Sequence, residues 1–271
     1  MKRFPLPICM FLLTVCAVSC ELFELDNYDA PSEVLYGSVV DSKTGAPVLT
    51  DQGSEGIRVR LIETSWEGNV TPLDFYCKPD GTFRNARLFE ADYNIRIDGP
   101  FVPVVIENAE GTVMKDESVN IHLKGEKEVN FSVQPFLNVE FVGSPQVSAG
   151  KITARVKVTR ATSREELKAA IGKSGDWKES YANVTDVQLF VSYSSTAGYR
   201  ARDSRWSSSV SYEGSSFEDL LGTNVTVKSN GTILSGQKVF IRAAARINYD
   251  TPRGSGTRRW NYSDIVEVDI P

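Results

Sequence analysis

The segment Val239-Phe-Ile241-Arg-Ala243-Ala-Ala245-Arg-Ile247 sets apolar residues at every odd position and Arg242 and Arg246 at even ones. Successive side chains of a strand point to opposite faces. This period of two therefore predicts a long, half-buried β-strand with its arginines on the outer face. The same grammar extends outward from it. Val187-Gln-Leu189-Phe-Val191-Ser-Tyr193 reads as a central strand, and Ile152-Thr-Ala154-Arg-Val156-Lys-Val158 and Leu137-Asn-Val139-Glu-Phe141 as two more. Val210 with Tyr212 marks a weaker edge strand, Val225 with Val227 a short one, and Trp260 to Ile270 closes the set. One helix interrupts them. Ser163-Arg-Glu-Glu166 is a capping box that opens a short helix through Leu167, Ala170 and Ile171, stopped at Gly172. Phe217 to Leu221 reads as one further helical turn.

Upstream of Gln134-Pro135-Phe136, which reads as a boundary, the pattern is β alone. Leu35, Gly37, Val39 and Asp41 alternate with Tyr36, Ser38 and Val40, and Thr44-Gly45-Ala46-Pro47 forms a turn. Ile57-Arg-Val59-Arg-Leu61 and Tyr93-Asn-Ile95-Arg-Ile97 alternate strictly. Asp80-Gly81 turns into Thr82-Phe83, and strands at Val119–Leu123 and Val129–Val133 complete the set. About seven short strands without a helix read as a β-sandwich. The expected fold is all-β, with two tandem sandwiches and one short helix in the second. The expected segments are a leader at 1–19, a tether at 20–33, and sandwiches at 34–135 and 136–271.

The leader carries the strongest localisation signal. Lys2 and Arg3 precede an apolar run from Phe4 to Val15, too short to span a bilayer. Ala17-Val18-Ser19-Cys20 then resembles a lipobox, with Ala17 where leucine is usual. The expectation is cleavage before Cys20 and lipidation of its thiol, leaving an acidic tether from Glu21 to Glu33. The alternative is ordinary secretion with Cys20 incidental. Of the four cysteines only Cys77 stays unassigned, so the sandwiches must stand on their cores rather than on a disulfide. Charge divides the chain. Residues 21–135 hold 10 Lys+Arg against 21 Asp+Glu, whereas residues 136–271 hold 18 against 14. Neither half has the basic footprint of a nucleic-acid binder.

Enzyme chemistry finds little support. The sequence has no G-x-S-x-G elbow, phosphate loop or dinucleotide fingerprint. The single histidine, His122, lies between Ile121 and Leu123 in an alternating strand. Asp74, Asp80, Glu90 and Asp92 occupy outward strand positions or turns and read as a solvated acidic face. Cys77 reads as a small buried hydrophobe, since no base accompanies it. One His and one free Cys disfavour zinc, and no cofactor is expected; loop-bound calcium stays open. The five N-x-S/T matches, from Asn69 to Asn261, read as chance in a bacterial chain.

Several of these turns also carry a resemblance. Cys20-x-x-Phe23-Glu24-x-Asp26-Asn27-Tyr28, Gly37-x-Val39-x-Asp41-x-x-Thr44-Gly45-x-Pro47, Asp80-Gly81-Thr82-Phe83 and Gly99-Pro100-Phe101 are similar to features of a family of Bacteroidetes lipoproteins, domain of unknown function 3823. The Gly37-to-Pro47 strand and turn also resemble the carboxypeptidase-regulatory, transthyretin-like sandwich. The strand order of the second half resembles a fibronectin type III or immunoglobulin-like module, A, B, C, C′, E, F, G. Members of the lipoprotein family are often encoded beside SusC/SusD-type glycan-uptake pairs. The resemblance thus implies outer-membrane placement, on the cell surface or the periplasmic face, and a glycan-related setting. It implies no catalytic residue.

One constellation fits such a setting. Arg246 to Tyr262, the expected F–G loop and its flanks, is rich in glycine, arginine and aromatics, and the B–C connection at 160–183 should share its end of the sandwich. Trp177, Tyr181, Tyr249, Arg253, Arg258, Arg259 and Trp260 are therefore the candidate contact residues for a glycan or a protein partner. The competing reading is structural, with tryptophans plugging the core and arginines lying over them. A second group, Tyr199, Arg200, Arg202, Arg205 and Trp206, is expected at the opposite end. Trp66, Phe75 and Tyr76 read as core edge. The expected function is a non-enzymatic outer-membrane lipoprotein, accessory to a SusC/SusD-like uptake system, that contacts polysaccharide or transporter through distal loops. The alternative is a structural or adhesive surface protein, for which the C-terminal run Ile265–Ile270 would be the exchangeable strand.

Overall fold

The computed structural model describes residues 30–271; the leader, Cys20 and most of the tether lie outside them. The first sandwich runs β1 (Glu33–Asp41), β2 (Arg58–Glu63), β3 (Leu73–Tyr76), β4 (Thr82–Leu88), β5 (Ala91–Asp98), β6 (Val105–Glu107), β7 (Val113–Asp116), β8 (Val119–Leu123), β9 (Glu126–Glu128) and β10 (Phe131–Val133). In one sheet β1 pairs antiparallel with β4 and parallel with both β9 and β10. The facing sheet has the order β3-β2-β5-β8, antiparallel throughout. Alternation is strict along β5. Tyr93, Ile95 and Ile97 enter the core, while Asn94, Arg96 and Asp98 face outward. Leu35, Val39, Phe83 and Leu88 meet them from the other sheet.

Gly37 explains part of the motif around β1. A Cβ there would stand 1.7 Å from the carbonyl oxygen of Val129, where the chain crosses β1 between β9 and β10. At Gly81, φ is +80°, and a side chain would also crowd the Val48 carbonyl. Cys77 is buried, and burial pushes its thiol pKa up to about 12.

The second sandwich runs β11 (Leu137–Phe141), β12 (Gln146–Ser148), β13 (Lys151–Arg160), α1 (Arg164–Ile171), β14 (Val184–Ser192), β15 (Ser208–Ser211), β16 (Asn224–Lys228), β17 (Lys238–Ile247) and β18 (Asn261–Asp269). In one sheet β11 and β12 share an edge of β13, and β16 pairs with the other. The facing sheet has the order β15-β14-β17-β18. Both bonds of the Ser163/Glu166 capping box form at α1, and Leu167 and Ile171 anchor the helix in the core. A single 3-10 turn occupies Glu218–Leu220.

Ser32–Pro271 is one compact unit, and the first sandwich covers part of the outer face of the β14-β17-β18 sheet. Phe190, Ala244, Trp260 and Tyr262 form a small separate core there, and Leu49 of the first sandwich packs on it. Arg242 does point outward from β17, as its position in the alternation requires, yet it is only 1% exposed. Its Nη1 donates to the Thr50 carbonyl at 2.6 Å, its Nη2 to Pro79 at 3.3 Å, and its Nε to Ser263 at 2.8 Å. The Asp51 carboxylate accepts from the Arg200 backbone amide at 2.8 Å and from the Tyr262 hydroxyl at 3.3 Å. The Asn261 side chain donates to the Pro100 carbonyl at 3.0 Å and accepts from the Leu137 amide at 3.2 Å. β18 therefore carries Asn261, Tyr262 and Ser263 into the junction as well as closing its sheet.

Candidate functional site

The strands β2 and β5 define one wall of a cleft beside this junction. Their outward residues face each other in register, Arg58 opposite Asp98 and Arg60 opposite Arg96, and β3 sets Asp74 opposite Arg60. Arg60 grips Asp74 through two parallel bonds of 2.8 Å each. Arg58 bonds Asp98 at 2.8 Å and Asp74 at 3.2 Å. Arg96 is looser. Its Nε donates to the Asn94 side-chain oxygen at 2.9 Å, and its Nη1 lies 3.6 Å from the Glu107 carboxylate. The bond from Arg60 holds the Asp74 carboxyl below the usual carboxylate range, and that bond also raises the Arg60 guanidinium. Burial pushes the Asp98 carboxyl up, against the pull of Arg259 and Arg58.

The hairpin β6–β7 and residues 99–104 form a second wall, and the second sandwich supplies the third through Ser174, Asp176 and Tyr249–Arg253. Together they enclose a cavity of about 550 Å³. Arg253 is fixed by Asp176, Nε to Oδ2 2.7 Å, and lies 5.0 Å above the Tyr181 ring. Beneath it Trp177, Tyr181, Tyr249 and Phe136 form an edge-to-face series leading into the core. Burial pushes the Tyr249 hydroxyl pKa up to about 12. Thr251 ties the loop down by donating to the Gly99 carbonyl at 2.7 Å.

The seven residues singled out in the sequence divide. Tyr181, Tyr249, Arg253 and the half-buried Trp177 do come together from the B–C and F–G connections. Trp177 spends its indole N–H on Glu179 at 2.8 Å. Arg258 is held by Thr185 and Asn248, each at 3.3 Å. Arg259 and Trp260 are 5% and 1% exposed, which leaves them no surface for a ligand. Arg259 instead donates to the Thr251 carbonyl at 2.8 Å and to the Gly56 carbonyl, and forms an ion pair with Asp98 at 2.6 Å; Trp260 lies under the Arg246 guanidinium. The expectation of distal loops therefore needs revising: the F–G segment turns toward the first sandwich.

In the second group Trp206 is core, covered by Arg205, while Tyr199 packs on Phe190 with Arg202 above it. Arg200 touches the first sandwich at Asp51, so this group also borders the junction. Phe75 packs on Phe83, whereas Trp66 is 62% exposed. Arg58, Arg60, Arg96 and Asp98 were not singled out from the sequence. The available signal was a run of charges at outward positions of two strands whose inward residues alternate so strictly. His122 is exposed between the carboxylates of Asp92 and Glu90, at 2.9 and 3.5 Å. Among the described residues no group of three or more His, Cys, Asp or Glu could hold a metal ion, and no helix is long and apolar enough to cross a membrane.

Tandem β-sandwiches joined by a polar, buried junction, with a cleft alongside, place the protein among all-β, sandwich-type proteins. Residues 33–134 match the profile described as protein of unknown function (DUF3823) N-terminal domain. A DUF3823 family protein from Bacteroides uniformis is 64% identical, with a TM-score of 0.87 over 89% of this chain and 100% of its own. The chain belongs to the DUF3823 family. A DUF3823 protein from Parabacteroides merdae, 21% identical over 89% of this chain and 100% of its own, shares the fold at a TM-score of 0.58. So does a candidate carbohydrate-binding protein from Bacteroides uniformis, 19% identical at 0.60 over the same shares. No curated protein matches the chain.

Proposed function

We propose that this chain is a non-enzymatic, carbohydrate-binding lipoprotein of the outer membrane, accessory to a SusC/SusD-type glycan-uptake system. The cleft between the sandwiches carries the reading. Its volume of about 550 Å³ falls within the usual range for small-ligand sites, roughly 300–1,000 Å³. Guanidiniums and carboxylates already paired with one another present fixed donors and acceptors to vicinal hydroxyls. Ile62, Pro103 and Val105 supply apolar wall for the C–H faces of a sugar ring. The junction holds both sides of the cleft in one geometry, so little ordering entropy is lost on binding. The carbohydrate-binding description of a relative with the same fold is consistent with this use. The lipobox at Cys20 supports anchoring, and the family setting supports the uptake partner.

Affinity electrophoresis of residues 21–271 through gels containing plant and host polysaccharides tests the reading. At least one glycan should retard the protein, and Arg253→Ala, which alters an exposed side chain of the cleft rim, should weaken the retardation. Unretarded migration in every gel would count against carbohydrate binding and direct attention to protein partners captured from outer membranes.

A further inference from the structure

We infer that the cleft selects an acidic saccharide, with Arg96 and Arg60 receiving the carboxylate or sulfate of one sugar unit. This inference rests on the carbohydrate-binding reading and narrows it. Arg60 and Arg96 are direct cross-strand neighbours on the same outward face. Like charges in that relation are destabilising, and opposite charges are the favoured pair. The neighbouring pair on the same two strands, Arg58 opposite Asp98, follows that preference. Arg60 and Arg96 depart from it at the cleft wall.

Within ion-pair distance, five guanidiniums (Arg58, Arg60, Arg96, Arg253 and Arg259) share four carboxylates (Asp74, Asp98, Glu107 and Asp176), and Asp116 acts on Arg96 from farther off. Arg58, Arg60, Arg253 and Arg259 each hold a carboxylate at close range, whereas Arg96 has only Glu107 at 3.6 Å. A charge-assisted N–H···O bond is shorter, about 2.7–2.9 Å. The Arg96 side chain is also 34% exposed and lines the cavity, so its remaining donors are available to a ligand. This cationic spot stands in the acidic half of the chain, where 10 Lys+Arg face 21 Asp+Glu between residues 21 and 135. A planar guanidinium matches a carboxylate or sulfate through two parallel bonds. An anion placed between Arg60 and Arg96 would relieve their repulsion and complete the pairing of Arg96.

The test is calorimetric titration of residues 21–271 with acidic oligosaccharides, each beside a neutral counterpart. Oligogalacturonate, glucuronoxylan and alginate fragments supply carboxylates, and carboxyl-reduced forms are their controls. Carrageenan fragments and their desulfated forms cover sulfate and separate the two sources of charge. At least one acidic form should bind ten or more times tighter than its neutral counterpart, and the difference should shrink as salt is raised. Arg96→Gln should weaken that ligand about 10- to 100-fold, the value of one charged hydrogen-bonding partner. It should not lower the thermal midpoint, since Arg96 is part exposed, holds only one hydrogen bond, to Asn94, and one long ion pair, to Glu107, and its removal relieves the repulsion with Arg60. Glu107→Gln, which removes the competing carboxylate, should tighten binding. Equal binding of acidic and neutral forms, indifferent to Arg96→Gln, would overturn this inference and leave carbohydrate binding standing. Absence of binding across the whole set would overturn this inference, and together with unretarded migration in every polysaccharide gel it would overturn both.

Discussion

Arg242→Met tests whether the buried guanidinium holds the two sandwiches together. Methionine keeps an unbranched stem of similar reach and deletes every donor. Three carbonyls then lose their partner: Thr50 and Pro79 in the first sandwich, and Ser263 on β18. A hydrogen bond to a charged group contributes about 1.5–3 kcal/mol. The two short bonds, at 2.6 and 2.8 Å, together with a weaker share from the 3.3 Å bond amount to about 4–7 kcal/mol gross. Burial works in the opposite direction. It pulls the Arg242 pKa down to about 10, a penalty on the cation of about 3 kcal/mol at roughly 1.4 kcal/mol per tenfold. The neutral variant escapes that penalty. The net expectation is a loss of about 1–4 kcal/mol, or roughly 2–16 °C in midpoint for a domain pair of this size. Arg242→Lys should do no better, because it retains a buried cation and offers a single ammonium where a planar fork met three carbonyls. Differential scanning calorimetry should show one transition for the parent and a broadened or split one for the variant, as the sandwiches lose their mutual support. A variant within about 0.5 kcal/mol of the parent, still unfolding in one transition, would refute the reasoning.

Tyr249→Phe should alter the alkaline limb of stability. Burial holds the folded-state pKa up to about 12, above the ordinary tyrosine value. The contribution is therefore complete below about pH 10 and lost as pH rises toward 12, by up to about 2–3 kcal/mol. Urea titrations at several alkaline pH values should show the variant losing less over that window. Trp260→Ala should cost about 3–5 kcal/mol, because the ring is 1% exposed and packs on Phe190; an unfolding midpoint close to the parent's would contradict its place in the junction. Cys77 should resist thiol reagents in the folded protein at pH 8 and react fully in denaturant, since burial keeps the thiol protonated; prompt native-state labelling would show the site is open. Cys20→Ala should abolish incorporation of labelled fatty acid and shift the protein from the membrane to the soluble fraction, whereas unchanged fractionation would remove the lipid anchor from the account.

The elements were legible because the chain alternates so regularly. β2, β5, β13, β14 and β17 each coincide with a period-two run, and α1 begins at the capping box. Turn residues were equally direct, since Gly81 has the positive φ that the Asp80-Gly81 pair predicts. Alternation reports which side chains share a face, but not what lies against that face. Arg242 therefore reads as solvated and is in fact covered. Thr50 and Asp51, which help cover it, sit in a loop without periodicity and are themselves almost fully buried. No local pattern distinguishes an outward arginine that meets water from one that meets a second sandwich.

The same blind spot explains the division of the aromatic–arginine segment. Arg259, Trp260, Asn261 and Tyr262 are drawn into the junction, and that attachment directs the preceding turn, Tyr249 to Arg253, onto the cleft. Thr251 shows the coupling most directly: its hydroxyl donates to Gly99 of the first sandwich, while its carbonyl accepts from Arg259. One stretch of chain thus does two jobs. Its second half fastens the sandwiches, and its first half forms a wall of the cavity that fastening creates. A substitution at Arg259 or Trp260 would disturb binding by displacing that wall, without the residue touching a ligand. Arg96 and Arg253 can be changed with the junction intact. Only a loss of binding that follows these two residues, at unaltered stability, locates recognition in the cleft.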